Sequence, residues 1–143
     1  MAKSASFDNS WLKLIFNATN IANIADNTAT APLTSLYVAL HTADPTAAGT
    51  QSSNEISYTG YARVAVARTT GGWTVTAASV SPVAAITFGA MTAGTGGTAT
   101  FWSVGVAVSG ATTILYSGAI SPTIAVTTGV TPQLTTATSC TES

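Results

Sequence analysis

Residues 36–70 constrain the fold more than any other stretch, because they contain two runs in which apolar side chains alternate with others. In the first run Leu36, Val38 and Leu40 occupy every second position, the period of a half-buried β-strand. The second run spans 56–70, and the segment 42–53 between them contains Pro and Gly without apolar periodicity, which predicts an exposed loop. The stretch also holds the only histidine, both arginines and two of the five acidic residues, so candidate chemical groups are concentrated here.

Similar short runs follow along the chain. A run at 73–77 is joined to the run at 56–70 by Gly71-Gly72, and this pair predicts a hairpin because both glycines can adopt positive φ without a Cβ penalty. Further strands are predicted, after a break at Ser81-Pro82, at 83–91, 101–109, 114–119, 124–126 and 131–138. Roughly eight to ten short strands separated by turns predict a mainly β fold, an antiparallel β-sandwich or jelly-roll-like domain.

One segment near the N-terminus departs from β patterning, because its apolar residues recur at three- and four-residue steps. Asp8, Asn9 and Ser10 offer capping oxygens, and the pattern predicts an amphipathic α-helix over 8–26 after a short arm at 1–7. The apolar face of such a helix can cover one side of a sheet or pair with the same helix of another copy. We favour the first arrangement because it needs no partner.

The length of 143 residues fits a single domain, 1–143, in which 33–138 form the β-sandwich. Only 6% of the residues are charged and 46% are hydrophobic, whereas about a quarter of an ordinary soluble domain is charged. A net charge of -1 gives a monomer little charged surface. The low charge therefore favours a protein whose surface is covered by neighbours in an assembly, with a thinly charged independent β-domain as the alternative.

Composition also argues against several classes of partner. The four cationic residues and a pI near 5.5 provide no basic patch, so nucleic acid is not an expected partner. The N-terminus lacks an uninterrupted apolar segment with a cleavage site, and no run approaches about 18 apolar residues, so we expect neither a secretion signal nor membrane insertion. Cys140 is the single cysteine, which excludes an internal disulfide and leaves an unpaired thiol or a cross-link between copies.

Few groups that support catalysis converge in the sequence. His41 with Asp44 is a candidate base with an orienting carboxylate, yet no serine lies in a G-x-S-x-G turn, and Ser103 lacks the first glycine of that motif. A metal ion would draw on His41, Asp44 and Glu55 without a histidine pair or paired cysteines. We therefore expect no enzymatic activity, no cofactor and no metal site.

The same polar residues have a structural interpretation as interface residues or loop anchors, a group made of His41, Asp44, Glu55, Arg63 and Arg68. His41 is expected to be hydrogen-bonded to the adjoining loop, and Asp44 to accept from backbone amides. Arg63 is expected to pair with Glu55 or Asp44. Arg63 and Arg68 are separated by an odd number of positions, so on a regular strand they project to opposite faces and form no joint anion clamp.

Three aromatic residues support a different hypothesis. Tyr58 and Tyr61 flank a predicted loop, and Trp73 follows Gly71-Gly72, so their faces are candidates for an exposed receptor surface that stacks on a host glycan. Packing in the core or in an interface is the favoured alternative for each of the three.

Six blocks of the sequence, taken in combination, carry a family resemblance. They are LYVALHTADP, NEISYTGYARVAVART, GGWTV, LIFNATNIANIAD, SPVAAITFGAMTAGT and LYSGAISPTIAVTTGVTPQL. The combination resembles a family of small structural proteins of tailed bacteriophages that are commonly labelled phage tail fibre proteins. The resemblance covers nearly the whole chain from Leu12 onward.

The resemblance implies a non-enzymatic protein of the virion, made in the host cytoplasm and present in many copies as a homo-oligomeric module of the tail or fibre apparatus. Its implied partners are copies of itself, for which a trimer is expected by analogy, and other virion proteins. Two alternatives remain open at this point. The chain is long enough for only one globular module, which a capsid decoration protein on the phage head also needs, and an adhesin module would bind a host receptor or glycan.

Overall fold

The chain begins with a short helix. The computed structural model describes residues 4–21, 24–25 and 31–142, and its one helix in these ranges is α1 (Ala5–Asn17). The side chain of Ser4 accepts a hydrogen bond from the Phe7 amide and so satisfies one of the free amides of the first turn. The helix ends at Ala18, which adopts a left-handed conformation with φ 53°.

α1 starts and ends earlier than the helix predicted at 8–26. Residues 5–7 are helical rather than part of an arm, and residues 18–21 and 24–25 are not helical. The other residues of the predicted arm and helix, 1–3, 22–23 and 26, lie outside the described residues. The apolar spacing continues beyond Asn17, but the segment 17–20 is rich in Asn and Thr, which are poor helix formers.

Nine strands follow in the described part of the chain. They are β1 (Ser35–His41), β2 (Val64–Ala67), β3 (Trp73–Thr76), β4 (Ser79–Pro82), β5 (Ile86–Thr87), β6 (Gly97–Gly105), β7 (Ile114–Val126), β8 (Gln133–Leu134) and β9 (Cys140–Thr141). They pair antiparallel in three sheets with the orders β2-β1-β6-β7, β3-β4-β9 and β5-β8. The predicted mainly β class with one helix near the N-terminus is confirmed, whereas the packing of the sheets as a sandwich stays a prediction.

The four-stranded sheet centres on β1 and β6. Their register places Val38 opposite Val104 and Leu40 opposite Trp102, and all four side chains are buried. The alternation recognised in the sequence therefore forms one core face of this sheet. His41 is buried as well, which means that the other face of β1 is also covered.

α1 packs against β3 and β4 of the second sheet. Leu12 and Phe16 are fully buried, and the Phe16 ring meets Trp73 edge-on with 4.9 Å between the centroids. At the end of the helix the Asn17 side-chain amide donates to the Trp73 carbonyl at 3.0 Å. Because one cluster of buried side chains runs from Leu12 to Cys140, we retain the single domain as a proposal.

The hairpin predicted at Gly71-Gly72 is wrong. β2 pairs with β1 and β3 pairs with β4, so the two runs on either side of these glycines belong to different sheets. A Cβ on Gly72 would lie 2.1 Å from the Ala67 carbonyl oxygen, so glycine is needed here for a close backbone approach rather than for positive φ. The observed hairpin joins β3 to β4 through Ala77 and Ala78, which carry no turn signal in the sequence.

Several strand limits also differ from the prediction. Ser81-Pro82, predicted as a break, belongs to β4, and the strand predicted at 101–109 begins at Gly97 and ends at Gly105. The strands predicted at 114–119 and 124–126 are two parts of one strand, β7. Both parts pair with β6, and residues 120–123 between them form a bulge opposite Thr100.

Cys140, the single cysteine, lies in a strand. It pairs with Val80 in β9 and is buried, and this burial raises the pKa of its thiol to about 12. At neutral pH the thiol therefore stays protonated, and burial disfavours the cross-link between copies. None of the helices in the described residues has the length and apolar character needed to cross a bilayer.

Candidate functional site

Three of the polar residues singled out in the sequence, His41, Glu55 and Arg63, converge at the end of β1 in a buried polar cluster that also contains Gln51 and Ser103. β1 contributes His41, β6 contributes Ser103, and the connection between β1 and β2 contributes the other three. The side chains of His41, Gln51 and Ser103 are completely buried. Buried polar groups are stable only when they are hydrogen-bonded, so the cluster depends on its internal bonds.

His41 is held by a bond at each ring nitrogen. Its Nδ1 lies 2.8 Å from the Ser53 carbonyl oxygen and its Nε2 lies 2.8 Å from Ser103 Oγ. A carbonyl oxygen can only accept, so Nδ1 carries the proton, and in the neutral ring Nε2 accepts from the Ser103 hydroxyl. Burial lowers the pKa of His41 from its ordinary value and outweighs the opposing effects of the Ser53 carbonyl and of Glu55. The imidazole is therefore neutral at physiological pH.

Gln51 connects the histidine to the rest of the cluster. Its side-chain Nε2 donates to the Tyr37 carbonyl at 2.9 Å and to Ser103 Oγ at 3.4 Å. Its Oε1 accepts from Arg63 Nη1 and from Thr112 Oγ1, each at 3.2 Å. Every polar atom of the buried amide is thus used, which is the condition under which a buried network stabilises one conformation.

Glycine at position 105 makes room for this amide. A Cβ at Gly105 would lie 2.1 Å from the side chain of Gln51, well inside the distance of ordinary van der Waals contact. The end of β6 and the loop that carries Gln51 therefore fit together only without a side chain at this position.

Arg63 and Glu55 form a two-point ion pair. Arg63 Nε lies 2.8 Å from Glu55 Oε1, and Nη2 lies 2.8 Å from Oε2. Besides the bond to Gln51, the guanidinium also donates to the carbonyls of Ala107 and Gly110. The hydrogen bonds to Glu55 raise the pKa of Arg63 above its ordinary value, against the opposing effect of burial. The pairing of Arg63 with Glu55 expected from the sequence is present. Together with the bonds to Ala107 and Gly110 it links the β1–β2 connection to the loop between β6 and β7.

Tyr61, three residues before the start of β2, borders the cluster. Its hydroxyl accepts from the Leu40 amide at 3.1 Å and donates to Glu55 Oε1 at 2.9 Å. The Leu40 amide lies beyond the part of β1 that pairs with β2, so the tyrosine hydroxyl replaces a strand partner. Burial is the main cause that raises the pKa of Tyr61 above its ordinary value.

Catalysis by these groups is disfavoured by their positions. The Ser103–His41 bond has the length found between a nucleophile and its base, but both side chains are 0% exposed, and a backbone carbonyl occupies Nδ1. His41 and Asp44, predicted as a base and its orienting carboxylate, are not hydrogen-bonded to each other. His41 binds Ser53 and Ser103, and Asp44 Oδ1 accepts from the Thr46 amide at 2.8 Å. Asp44 thus shapes the loop. Among the described residues, no group of three or more His, Cys, Asp or Glu side chains could hold a metal ion.

Arg68 anchors a different part of the chain. Its guanidinium donates to the carbonyls of Leu14 and Ile15 in the last turn of α1 and to the Leu33 carbonyl at 3.3 Å. These helix carbonyls have no partner within the helix, and the C-terminal end of a helix attracts positive charge. Arg68 therefore caps α1 from a residue far away in sequence.

The aromatic residues proposed as a receptor surface are packed inside the chain. Trp73 is 2% and Tyr58 is 8% exposed, and Tyr61 is half-buried with its ring stacked on Phe88 at 6.1 Å between centroids. The Tyr58 hydroxyl donates to the Gly89 carbonyl at 2.9 Å. The exposed platform is therefore corrected to core packing, because each ring covers neighbouring aromatic or backbone groups.

Sequence patterns did not indicate Gln51 and Ser103 as members of the buried polar cluster, or Thr112 as the hydrogen-bonded neighbour of Gln51. All three are neutral polar residues in a chain that is rich in them, and they are brought together by contacts across about 50 to 60 positions. The available signal is Ser103, a serine inside the otherwise apolar alternation of β6.

The bulged part of β7 borders a groove that the sequence did not reveal. Residues 119–125 and segments from 133–139 line it together with Trp102, and its volume is about 610 Å³. Among the described residues that line the groove none is charged, so a ligand would meet their hydroxyl, amide and apolar groups.

Comparison with known proteins gives one family. A family model described as "Podophage GP4 fiber I protein gp80" matches residues 4–139. No curated protein matches the chain.

Proposed function

Because the chain belongs to the family of the podophage GP4 fiber I protein gp80, we propose that it is a non-enzymatic structural protein of the phage virion and a homo-oligomeric module of the tail or fibre apparatus. The observation that carries this proposal is the length of the match, which includes α1 and all but the last few residues. It agrees with the resemblance to phage tail fibre proteins found in the sequence.

The buried polar cluster supports a structural role. Its charged and polar groups bind one another and nearby carbonyls, and its histidine and serine are closed to solvent. Such a network fixes the long β1–β2 connection on the sheet. We assign His41, Glu55, Arg63 and Arg68 to anchoring within the chain, and Asp44 to the turn of the exposed loop.

The surface supports assembly with other subunits. Large apolar side chains are exposed on a chain with few charges. They are Phe7, Trp11, Ile24, Leu33, Val83 and Val108. Exposed apolar area of this kind is commonly covered by partners in an assembled particle. Copies of the same chain, with a trimer as the proposed oligomer, and other virion proteins are the proposed partners.

Purified virions provide the direct test. Quantitative mass spectrometry should detect the protein at a fixed ratio to the portal and tail proteins, and antibody labelling should place it on the tail. A copy number close to that of the major capsid protein, together with antibody label over the head, would instead identify a capsid decoration protein. Absence of the protein from mature particles would contradict a virion role of either kind.

The uncharged groove beside β7 supports a second candidate function, the binding of a host receptor glycan. Its mixture of hydroxyl and apolar groups is compatible with a neutral sugar. The groove is therefore the candidate receptor surface in place of Tyr58, Tyr61 and Trp73. An Ala137→Trp change should fill the groove from an exposed position and reduce adhesion of the purified protein to host cells. An Ala111→Trp change, also exposed but outside the groove, is the control. Equal adhesion of both variants and the wild type would reject the groove as the receptor site.

A further inference from the structure

Trp102 carries an indole N–H that has no acceptor, and it does so in the wall of the groove beside β7. The side chain lines the groove and is only 4% exposed. In the described part of the chain its Nε1 has no hydrogen-bond partner, and unlike Nε1 of Trp73 it is not closed off from solvent. An indole N–H can only donate, and in a buried tryptophan it usually has an acceptor. The groove therefore offers a donor to an acceptor from outside the chain.

Glycine at position 118 leaves this N–H uncovered. Gly118 pairs with Trp102 across β6 and β7, and a Cβ on it would lie 3.0 Å from Nε1 and 3.3 Å from Cε2 of the indole. Any side chain at this position would therefore press on the N–H edge of the ring. The φ of Gly118 is not positive, so the backbone conformation alone does not require glycine here. What the glycine provides is open space beside the donor.

The groove also presents neutral hydroxyl groups. Several of these side chains have no hydrogen-bond partner within the described residues, namely Ser121, Thr123, Thr138 and Ser139. A hydroxyl group both donates and accepts, so its natural complement is a ligand whose own groups do both. Hydroxyl groups on the ligand meet this condition, whereas a carboxylate or a phosphate can only accept.

Apolar side chains lie between these hydroxyls. They are Ile120, Pro122, Ile124 and Leu134. A pyranose ring carries hydroxyl groups on its rim and C–H groups on its faces, so it matches such a mixed lining, whereas an extended peptide offers fixed N–H and C=O groups instead. The groove volume of about 610 Å³ lies within the range of about 300–1,000 Å³ that is common for small-molecule sites.

We propose that Trp102 Nε1 orients a neutral sugar ring in the groove by donating a hydrogen bond to a sugar oxygen. This inference rests on the second candidate function, the binding of a host glycan at this groove, and names the residue that positions the ligand. Gly118 supports the contact, because the absence of its side chain keeps the N–H open. In a groove without charge, one fixed donor among apolar groups sets the orientation of the ligand.

The indole signal of Trp102 gives a direct readout in the wild-type protein. The chain has three tryptophans, whose indole N–H groups give separate signals in a heteronuclear NMR spectrum, and a Trp102→Phe variant identifies the signal that is lost. Titration with the methyl glycosides of glucose, galactose and mannose should move the Trp102 signal downfield with at least one of the sugars, because the N–H gains an acceptor. The signal of Trp73, whose Nε1 is closed off from solvent, should stay in place.

A Gly118→Ala change tests the donor without changing the lining of the groove. The added methyl group covers the N–H edge and should weaken sugar binding about three- to tenfold, the effect of losing one hydrogen bond. Gly71→Ala is the matched control, since its Cβ would meet only Thr69 Oγ1 at 3.5 Å and it lies outside the groove. Circular dichroism checks that both variants remain folded, and NMR titration measures their affinities.

The outcomes separate the role of Trp102 from the glycan function itself. If a sugar moves the backbone signals of 135–139 but not the Trp102 indole signal, and Gly118→Ala binds it as tightly as the wild type, the role of Trp102 is wrong and the groove remains the candidate glycan site. If no sugar moves any signal of the groove, both the role of Trp102 and the glycan function fail. Movement with the uncharged peptide acetyl-trialanine amide, and with none of the sugars, would also overturn the proposal and identify a peptide site.

Discussion

At the scale of single residues, the stability of the fold depends on a neutral histidine. The ring of His41 is buried and bonded to a carbonyl and a hydroxyl, and burial lowers its pKa in the native state. The unfolded chain has a histidine pKa of about 6.5, so on acidification it binds a proton before the native state does. Stability is then fully present above the unfolded pKa and decreases as the pH falls towards the native pKa.

We therefore expect the free energy of unfolding, measured by urea titration, to fall between about pH 7.5 and pH 5. A His41→Gln variant cannot titrate in this range and should show a smaller slope, although its stability at neutral pH is lower. Equal slopes in the two proteins would show that His41 does not control this dependence.

A glycine beside the buried polar cluster gives a second residue-scale prediction. A Cβ at Gly105 would overlap the Gln51 side chain at 2.1 Å, so Gly105→Ala should lower the free energy of unfolding by about 1–3 kcal/mol. At Gly71 an added Cβ would meet only Thr69 Oγ1 at 3.5 Å, and Gly71→Ala should stay within about 0.5 kcal/mol of the wild type. Denaturant titration of both variants compares them directly. Similar losses in the two would mean that Gln51 can move away.

At the scale of elements, the end of α1 is determined by an arginine more than fifty positions away. Arg68 binds the carbonyls of Leu14 and Ile15, and hydrogen bonds to charged groups contribute about 1.5–3 kcal/mol each when they are well shielded. Arg68→Met should therefore destabilise the chain by about 1–3 kcal/mol and speed amide hydrogen exchange in the last turn of α1. Lys13→Met removes a cation from the helix itself and should leave that exchange unchanged. Unchanged exchange in both variants would argue against the capping role.

The same elements show how far sequence patterns reach. The alternation of Leu36, Val38 and Leu40 predicted β1 correctly, because burial on one face imposes the period directly. The pairing of Arg63 with Glu55 was also predictable, because a chain with so few charges leaves few partners. The pattern did not predict the early end of α1, because the arginine that caps it, Arg68, follows β2 and is distant in sequence. It also did not predict that β2 and β3 belong to different sheets. Those features depend on tertiary contacts that leave no local periodicity.

At the scale of the whole molecule, the chain combines a well-bonded interior with a weakly charged surface. The polar groups of the buried cluster are satisfied by one another and by nearby carbonyls. Several of the few charges are used inside the chain, since Arg63 pairs with Glu55 and Arg68 caps α1. Little charge is left to keep copies apart, and apolar side chains such as Phe7 and Trp11 are exposed. Both features favour association through apolar contact rather than through ion pairs.

This balance predicts how salt acts on self-association. Because the net charge is -1, raising NaCl from about 0.05 to 0.5 M should change the dissociation constant of the wild-type oligomer little, even though it shortens the Debye length. Sulfate should strengthen association, since it favours burial of apolar surface. Sedimentation in the two salts measures these effects, and strong dissociation of the wild type by NaCl would show that ion pairs, not apolar contacts, hold the copies together.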